Sequence, residues 1–131
     1  MKKNALDILF ISEDKNFLNS NLINSLTDFQ FKIVESVEEG LKEMELSRPK
    51  LIFTSYSFTE GSGVDIAVRF SELILFQSSR VYLVTEDKVN QDKKNYLFTL
   101  GYEDILDQIS FDKGVISLFD KYFKSQDLSA A

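Results

Sequence analysis

The reactive inventory of this chain is short. Among 131 residues there is no cysteine and no histidine. Thiol nucleophiles, disulfides, Cys/His zinc sites and imidazole acid–base catalysis are therefore excluded. Carboxylates, hydroxyls and amides remain, and several gather directly after short apolar runs. Ser12, Glu13 and Asp14 follow Asp7-Ile8-Leu9-Phe10-Ile11, and Ser55, Tyr56 and Ser57 follow Leu51-Ile52-Phe53-Thr54. Thr85 and Glu86 follow Val81-Tyr82-Leu83-Val84, while Asp107 and Gln108 follow Asp104-Ile105-Leu106. A metal here would have only oxygen ligands, which suits Mg²⁺ or Ca²⁺. A serine such as Ser55 is a poor nucleophile without an activating base, and Glu13 is the candidate for that task. No catalytic triad is recognisable, so the expectation is a protein that is not an enzyme.

These clusters need a scaffold that brings distant strand ends together. The runs named above, with Phe31-Lys32-Ile33-Val34, make five candidate strands. Three are almost continuously apolar, as parallel strands buried on both faces must be; the Phe31 run alternates and is expected at an edge. Segments with helical spacing lie between them. Phe17, Leu18, Leu22, Ile23 and Leu26 mark the first, and Val37, Leu41 and Met44 the second, opened by the capping box Ser36-x-x-Glu39. Ile66, Ala67, Phe70, Leu73 and Ile74 mark the third. Tyr96, Leu97 and Leu100 mark the fourth, stopped by Gly101. Val115, Ile116, Phe119, Tyr122 and Phe123 mark the fifth. Pro49 stands just before the third strand, where a helix must have ended. The alternation predicts an α/β, flavodoxin-like doubly wound sheet of five parallel strands with five helices. In such sheets ligands bind beyond the carboxyl ends of the strands, where the polar clusters fall.

Composition narrows the function classes. The chain fits one domain, here 1–124, with 125–131 read as a loose tail or the start of a linker. Its length allows about two-thirds of the unfolded surface to be buried. Apolar residues make up 44% and charged residues 27%, ordinary values for a globular protein. No apolar run approaches the roughly 20 residues of a membrane span. The lysines at the N-terminus precede only short apolar stretches broken by Asp7, Glu13 and Asp14, unlike a secretory signal. The net charge of −6 opposes sequence-independent binding to nucleic acid. Gly61-Ser62-Gly63 lacks the spacing of a P-loop or dinucleotide fingerprint. The expectation is a cytoplasmic protein without a nucleic-acid or membrane partner.

The pattern from about Asp7 to Phe123 resembles the receiver domain of two-component response regulators. Leu9-Phe10-Ile11-Ser12-Glu13-Asp14 matches the family's first motif, and Pro49-Lys50-Leu51-Ile52-Phe53-Thr54-Ser55 matches the run into its phospho-acceptor. Gly61-Ser62-Gly63 matches the turn that follows. Val81-Tyr82-Leu83-Val84-Thr85 and Gly101-Tyr102-Glu103-Asp104-Ile105-Leu106-Asp107-Gln108 match the last two strands. The resemblance implies a Mg²⁺-assisted pocket in which an aspartate takes the phosphoryl group and a hydroxyl and a lysine contact it. Here Ser55 stands at the acceptor and Gln108 at the lysine. Ser12 replaces one acid, Ile109 replaces a proline, and Ile105 stands where an aromatic switch residue is common. Only Glu13 and Thr85 keep the family's chemistry.

The resemblance therefore implies a pseudo-receiver of prokaryotic signal transduction with a degenerate pocket of Ser12, Glu13, Asp14, Ser55, Ser57, Thr85 and Gln108. No cofactor is expected, and Glu13 alone is a weak candidate for holding Mg²⁺. The bland reading stays open beside it: Glu13 and Asp14 suit a helix first turn, and Ser55, Ser57 and Thr85 suit ordinary strand ends. Gln108 could donate a hydrogen bond to Ser55 and lock one conformation. Twelve phenylalanines and five tyrosines exceed what a core of this size obviously requires. Tyr96, Tyr102, Ile105, Phe111, Tyr122 and Phe123 come from the fourth helix, fifth strand and fifth helix, the face on which receivers dock partners or dimerise. Two functions follow: a protein-contact module using that face, with a protein partner or a homodimer, or a sensor of a small anionic or nucleotide ligand in the strand-end crevice.

Overall fold

The computed structural model describes residues 6–14, 17–18, 20–55, 57–58, 61–62 and 80–124. The expected third helix, at 66–74, and the tail 125–131 lie outside the described residues. Five parallel strands form the main sheet: β1 (Ile8–Ile11), β2 (Phe31–Val34), β3 (Leu51–Ser55), β6 (Arg80–Thr85) and β7 (Asp104–Asp107). Their order is β2-β1-β3-β6-β7, so β2 and β7 are the edges. A short antiparallel hairpin, β4 (Ser57–Phe58) and β5 (Gly61–Ser62), follows β3. The described helices are α1 (Ser20–Asn24), α2 (Val37–Ser47), α3 (Gln91–Thr99) and α4 (Gln108–Phe119), the last continued by a π-helical turn at Asp120–Lys124. This is the expected doubly wound α/β architecture. The first helix is shorter than its apolar spacing suggests, since Leu26 falls in the turn beyond it.

Local chemistry sets these boundaries. Ser36 Oγ accepts from Glu39 N at 3.1 Å, and Glu39 Oε1 reaches back to Glu35 N at 3.3 Å, so the capping box forms one residue displaced on its return arm. α2 ends at Arg48, whose left-handed φ of 45° lets its N–H return to Met44 O. Pro49 then enters β3. Gly101 takes φ 106° after α3, a conformation that costs glycine least. Gly40 serves a different need: a Cβ there would stand 2.6 Å from Ile11 Cδ1, so only glycine lets α2 lie this close to β1.

The period-2 alternation of the strands builds two unlike layers. Leu9, Ile11, Ile52, Val81, Leu83 and Ile105 meet Val37 and Met44 of α2 and Leu97 of α3, giving a mainly aliphatic layer. The opposite face carries Phe10, Phe53 and Tyr82 against Phe17 and the Phe111, Val115 and Phe119 stripe of α4. Phe10 stacks on Phe53 at 5.7 Å, Phe53 on Tyr82 at 5.1 Å, and Phe17 on Phe111 at 5.1 Å. Phe29 packs on Phe119 and on Phe123, and the Lys50 ammonium lies 5.7 Å from the Phe123 ring centre. Much of the chain's aromatic content is thus core. Tyr102 is buried in the aliphatic layer with no hydrogen-bond partner for its hydroxyl among the described residues, and burial pushes its pKa up.

Candidate functional site

The carboxyl ends of β1, β3 and β6 converge on a crevice of about 300 Å³. Parallel register places them level: Ile11 pairs with Thr54, and Ser55 with Val84, so the next residues of each strand face one another. Ser12, Glu13, Asp14, Ser55, Thr85 and Gln108 all line the crevice, with Phe17, Val84 and Glu86 added by the structure. The sequence-predicted pocket is therefore assembled, apart from Ser57 in β4, whose side chain lies outside the described part.

Its bonding is inward. Ser55 Oγ donates to Ser12 Oγ at 2.7 Å, and Asp14 N donates to the same oxygen at 3.1 Å. Ser12 is almost completely buried, so this pair closes the crevice floor. Thr85 Oγ1 donates to Asp87 O at 2.7 Å and lies 3.4 Å from Leu106 O. The Gln108 amide does not make the bond to Ser55 that its position in the sequence offered. Its Nε2 donates to Asp112 Oδ1 at 3.0 Å, one helical turn along α4, and to Phe17 O at 3.4 Å. The helical i,i+4 geometry offers Gln108 a nearer, charged acceptor.

Three carboxylates, those of Glu13, Asp14 and Glu86, line the crevice, and no lysine or arginine does so among the described residues. Nor do three acidic side chains converge as a metal-ligand group among those residues. The fold implies Mg²⁺, but Ser12 and Ser55 are neutral and bonded to each other. Mg²⁺ demands near-octahedral oxygen ligation and usually leans on substrate phosphates beyond one or two carboxylates. This donor set does not fit it.

The expected interaction face needs correction. Tyr102, Ile105 and Phe111 are 4%, 3% and 0% exposed and belong to the two core layers. Strand alternation turns Ile105 inward, and the Phe111–Val115–Phe119 stripe is the buried side of α4. Phe123 is half-buried against Phe29, and the Tyr122 side chain lies outside the described part. Tyr96 is exposed on α3, as is Phe98, which the sequence reading passed over. Also passed over were two crevices along β7, of about 310 and 330 Å³. In the larger of the two Asp107 caps α4: its Oδ1 accepts from Ser110 N at 2.8 Å. That bond holds its carboxyl below the usual carboxylate range, with Lys88 and Lys94 acting in the same direction.

No family model matches the sequence, and no curated protein matches it either. Solved structures match in fold. A CheY-like response regulator receiver domain from Methanospirillum hungatei JF-1 superposes with TM-score 0.73 at 14% identity, covering 95% of this chain and 98% of that one. The receiver domain of an HD domain-containing protein from Pseudomonas fluorescens Pf-5 gives 0.69 at 12% identity, covering 94% and 98%. A Burkholderia pseudomallei response regulator, solved with a phosphorylated aspartic acid, a calcium ion and citrate, gives 0.67 at 15% identity, covering 94% and 70%. The chain has the fold of CheY-like receiver domains. Among the described residues no helix is long and apolar enough to cross a membrane.

Proposed function

We propose that this chain is a phosphorylation-independent pseudo-receiver of a prokaryotic two-component-type pathway. In this reading it works in the cytoplasm through protein contacts on the edge formed by α3, β7 and α4, with no enzymatic activity and no bound cofactor. The observation that carries the reading is the Ser55–Ser12 hydrogen bond at the end of β3, in a crevice without a cation among its described lining. An acyl phosphate needs a carboxylate nucleophile, and a transferred phosphoryl group needs positive charge to balance it. Ser55 supplies a hydroxyl engaged elsewhere, and Gln108 supplies no charge. With the switch chemistry gone, a rigid scaffold and its exposed edge remain. Among the described residues Tyr96 and Phe98 are its exposed aromatics, a residue class enriched at interface cores.

A crevice of this volume, with the hydroxyls of Ser12, Ser55 and Thr85, would also admit a small ligand. Three carboxylates on its rim oppose an anion, which weakens the sensor reading. The test is an amide NMR titration with Mg²⁺, then with Mg²⁺ and beryllium fluoride, a mimic of an aspartyl phosphoryl group. Resonances of Glu13, Ser55 and Thr85 are expected to stay in place. Saturable shifts confined to those residues would overturn the pseudo-receiver reading in favour of ligand sensing or unconventional phosphorylation.

A further inference from the structure

Among the described residues β7 pairs with β6 alone, and strand backbone groups point alternately to either side. Its outer side therefore has no strand partner among them. Two crevices adjoin there, sharing Asp104, Leu106 and Ser110. One opens on the aromatic layer, between Tyr82, Leu106 and Leu118, with Gly114 in its wall. The other opens towards the aliphatic layer, beside Ile105 and Val89, with Lys88 and Lys94 at its rim.

Gly114 has no internal reason to be glycine. It stands in the interior of α4, where glycine costs about 1 kcal/mol relative to alanine. A Cβ there would meet nothing within 4 Å, in contrast to Gly40. The space it leaves is open to whatever lies along β7. The charges of the second crevice are also unequal in their commitments. Asp107 Oδ1 accepts from Ser110 N and Asp104 Oδ1 from Ile105 N. The side chains of Lys88 and Lys94 make no hydrogen bond or ion pair among the described residues; they act on Asp107 only through space, which leaves their ammonium donors open to a further carboxylate.

We propose that β7 takes up an extended segment of a partner protein as a sixth strand of the sheet. An apolar side chain of that segment fills the Leu106–Gly114–Leu118 crevice, and an acidic side chain on its other face meets Lys88 and Lys94. Neighbouring side chains of a strand point to opposite faces, which matches one crevice on each layer. Main-chain bonds to the edge give affinity, and the two crevices give specificity. The inference rests on the protein-contact reading and names the form of the partner.

The experiment uses the full chain and a pool of short fluorescein-labelled peptides. Each carries Leu and Glu at adjacent positions, with Thr, Val, Ile or Tyr elsewhere. Anisotropy is expected to show saturable binding, and amide NMR to place the largest shifts at β7. A proline at the peptide centre should abolish binding, because it removes a ladder donor. Exchanging the peptide Glu for Lys should weaken binding at least about tenfold, and Lys94→Glu should restore the Lys peptide. Gly114→Leu should block the apolar crevice; if it unfolds, the charge exchange at Lys94 still decides. Absence of binding by any pool member, or equal binding of the proline peptide, overturns strand addition. Beryllium fluoride shifts around Ser55 with β7 binding intact would instead sink the pseudo-receiver reading and leave strand addition standing.

Discussion

The crevice beyond the strand ends and the crevices along β7 have nearly the same volume, about 300 Å³ against 310 and 330 Å³, and opposite wiring. At the strand ends the polar groups spend their bonds on one another: Ser55 on Ser12, Thr85 on Asp87, Gln108 on Asp112. Along β7 a strand edge, two lysine ammonium groups and an open glycine have no such hydrogen-bond partners among the described residues. A concavity recruits chemistry only if its groups remain available. By that measure the crevice beyond the strand ends is the quieter of the two.

Phe111 underlies both regions and gives the largest expected effect. It stacks on Phe17 of the strand-end crevice, and its helix carries Ser110 and Gly114 into the edge crevices. Phe111→Ala should destabilise the fold by about 3–5 kcal/mol in urea titration, as a core residue does. A loss under about 1 kcal/mol would return it to the surface role first expected of it. Ser12→Ala comes next. It removes the acceptor of both Ser55 Oγ and Asp14 N, at a cost of about 1–3 kcal/mol. Equal stability of this variant and the parent would mean that the crevice is not closed on itself.

Gly114→Ala is expected to have the opposite sign, stabilising the free protein by about 0.5–1 kcal/mol in the same titration. A loss of stability would show that the glycine is required by the fold itself. The smallest effect serves as a control away from both regions. Lys32 and Ser47 hydrogen bonds hold the Glu43 carboxyl below its ordinary value of 4.5. Its contribution is therefore full above that value and is lost as pH falls through the lower folded-state pKa. The pH dependence of stability at the acid end should flatten in Glu43→Gln, while the strand-end and β7 resonances stay unchanged.

Much of the fold was legible because its strands are buried on both faces and read as unbroken apolar runs. Phe31–Val34 alternated, and it is an edge. The strand-end residues Ser12, Ser55 and Thr85 were legible because parallel register brings such positions level. Gln108 was placed correctly but bonded wrongly, since a contact one helical turn away competes with any contact across the crevice. Tyr102, Ile105 and Phe111 were misassigned because aromatic and branched residues serve cores and interfaces alike, and only the helix face or the pleat decides. The β7 crevices draw on Lys88 from a loop, Leu106 from β7, and Gly114 and Leu118 from α4, so no local pattern announced them. A glycine inside the helical run of α4 was the one available signal.

Strand order also carries a kinetic consequence. β2, β1 and β3 use only the first part of the chain, and Ser12 and Ser55 meet across 43 residues of sequence. β1 and β3 each pair on both sides, whereas β7 pairs on one side only among the described residues. A strand held on one side can open partially, well below the cost of global unfolding. Amide protons of β7 should therefore exchange faster than those of β1 and β3, giving the molecule a stiff centre and a margin that breathes.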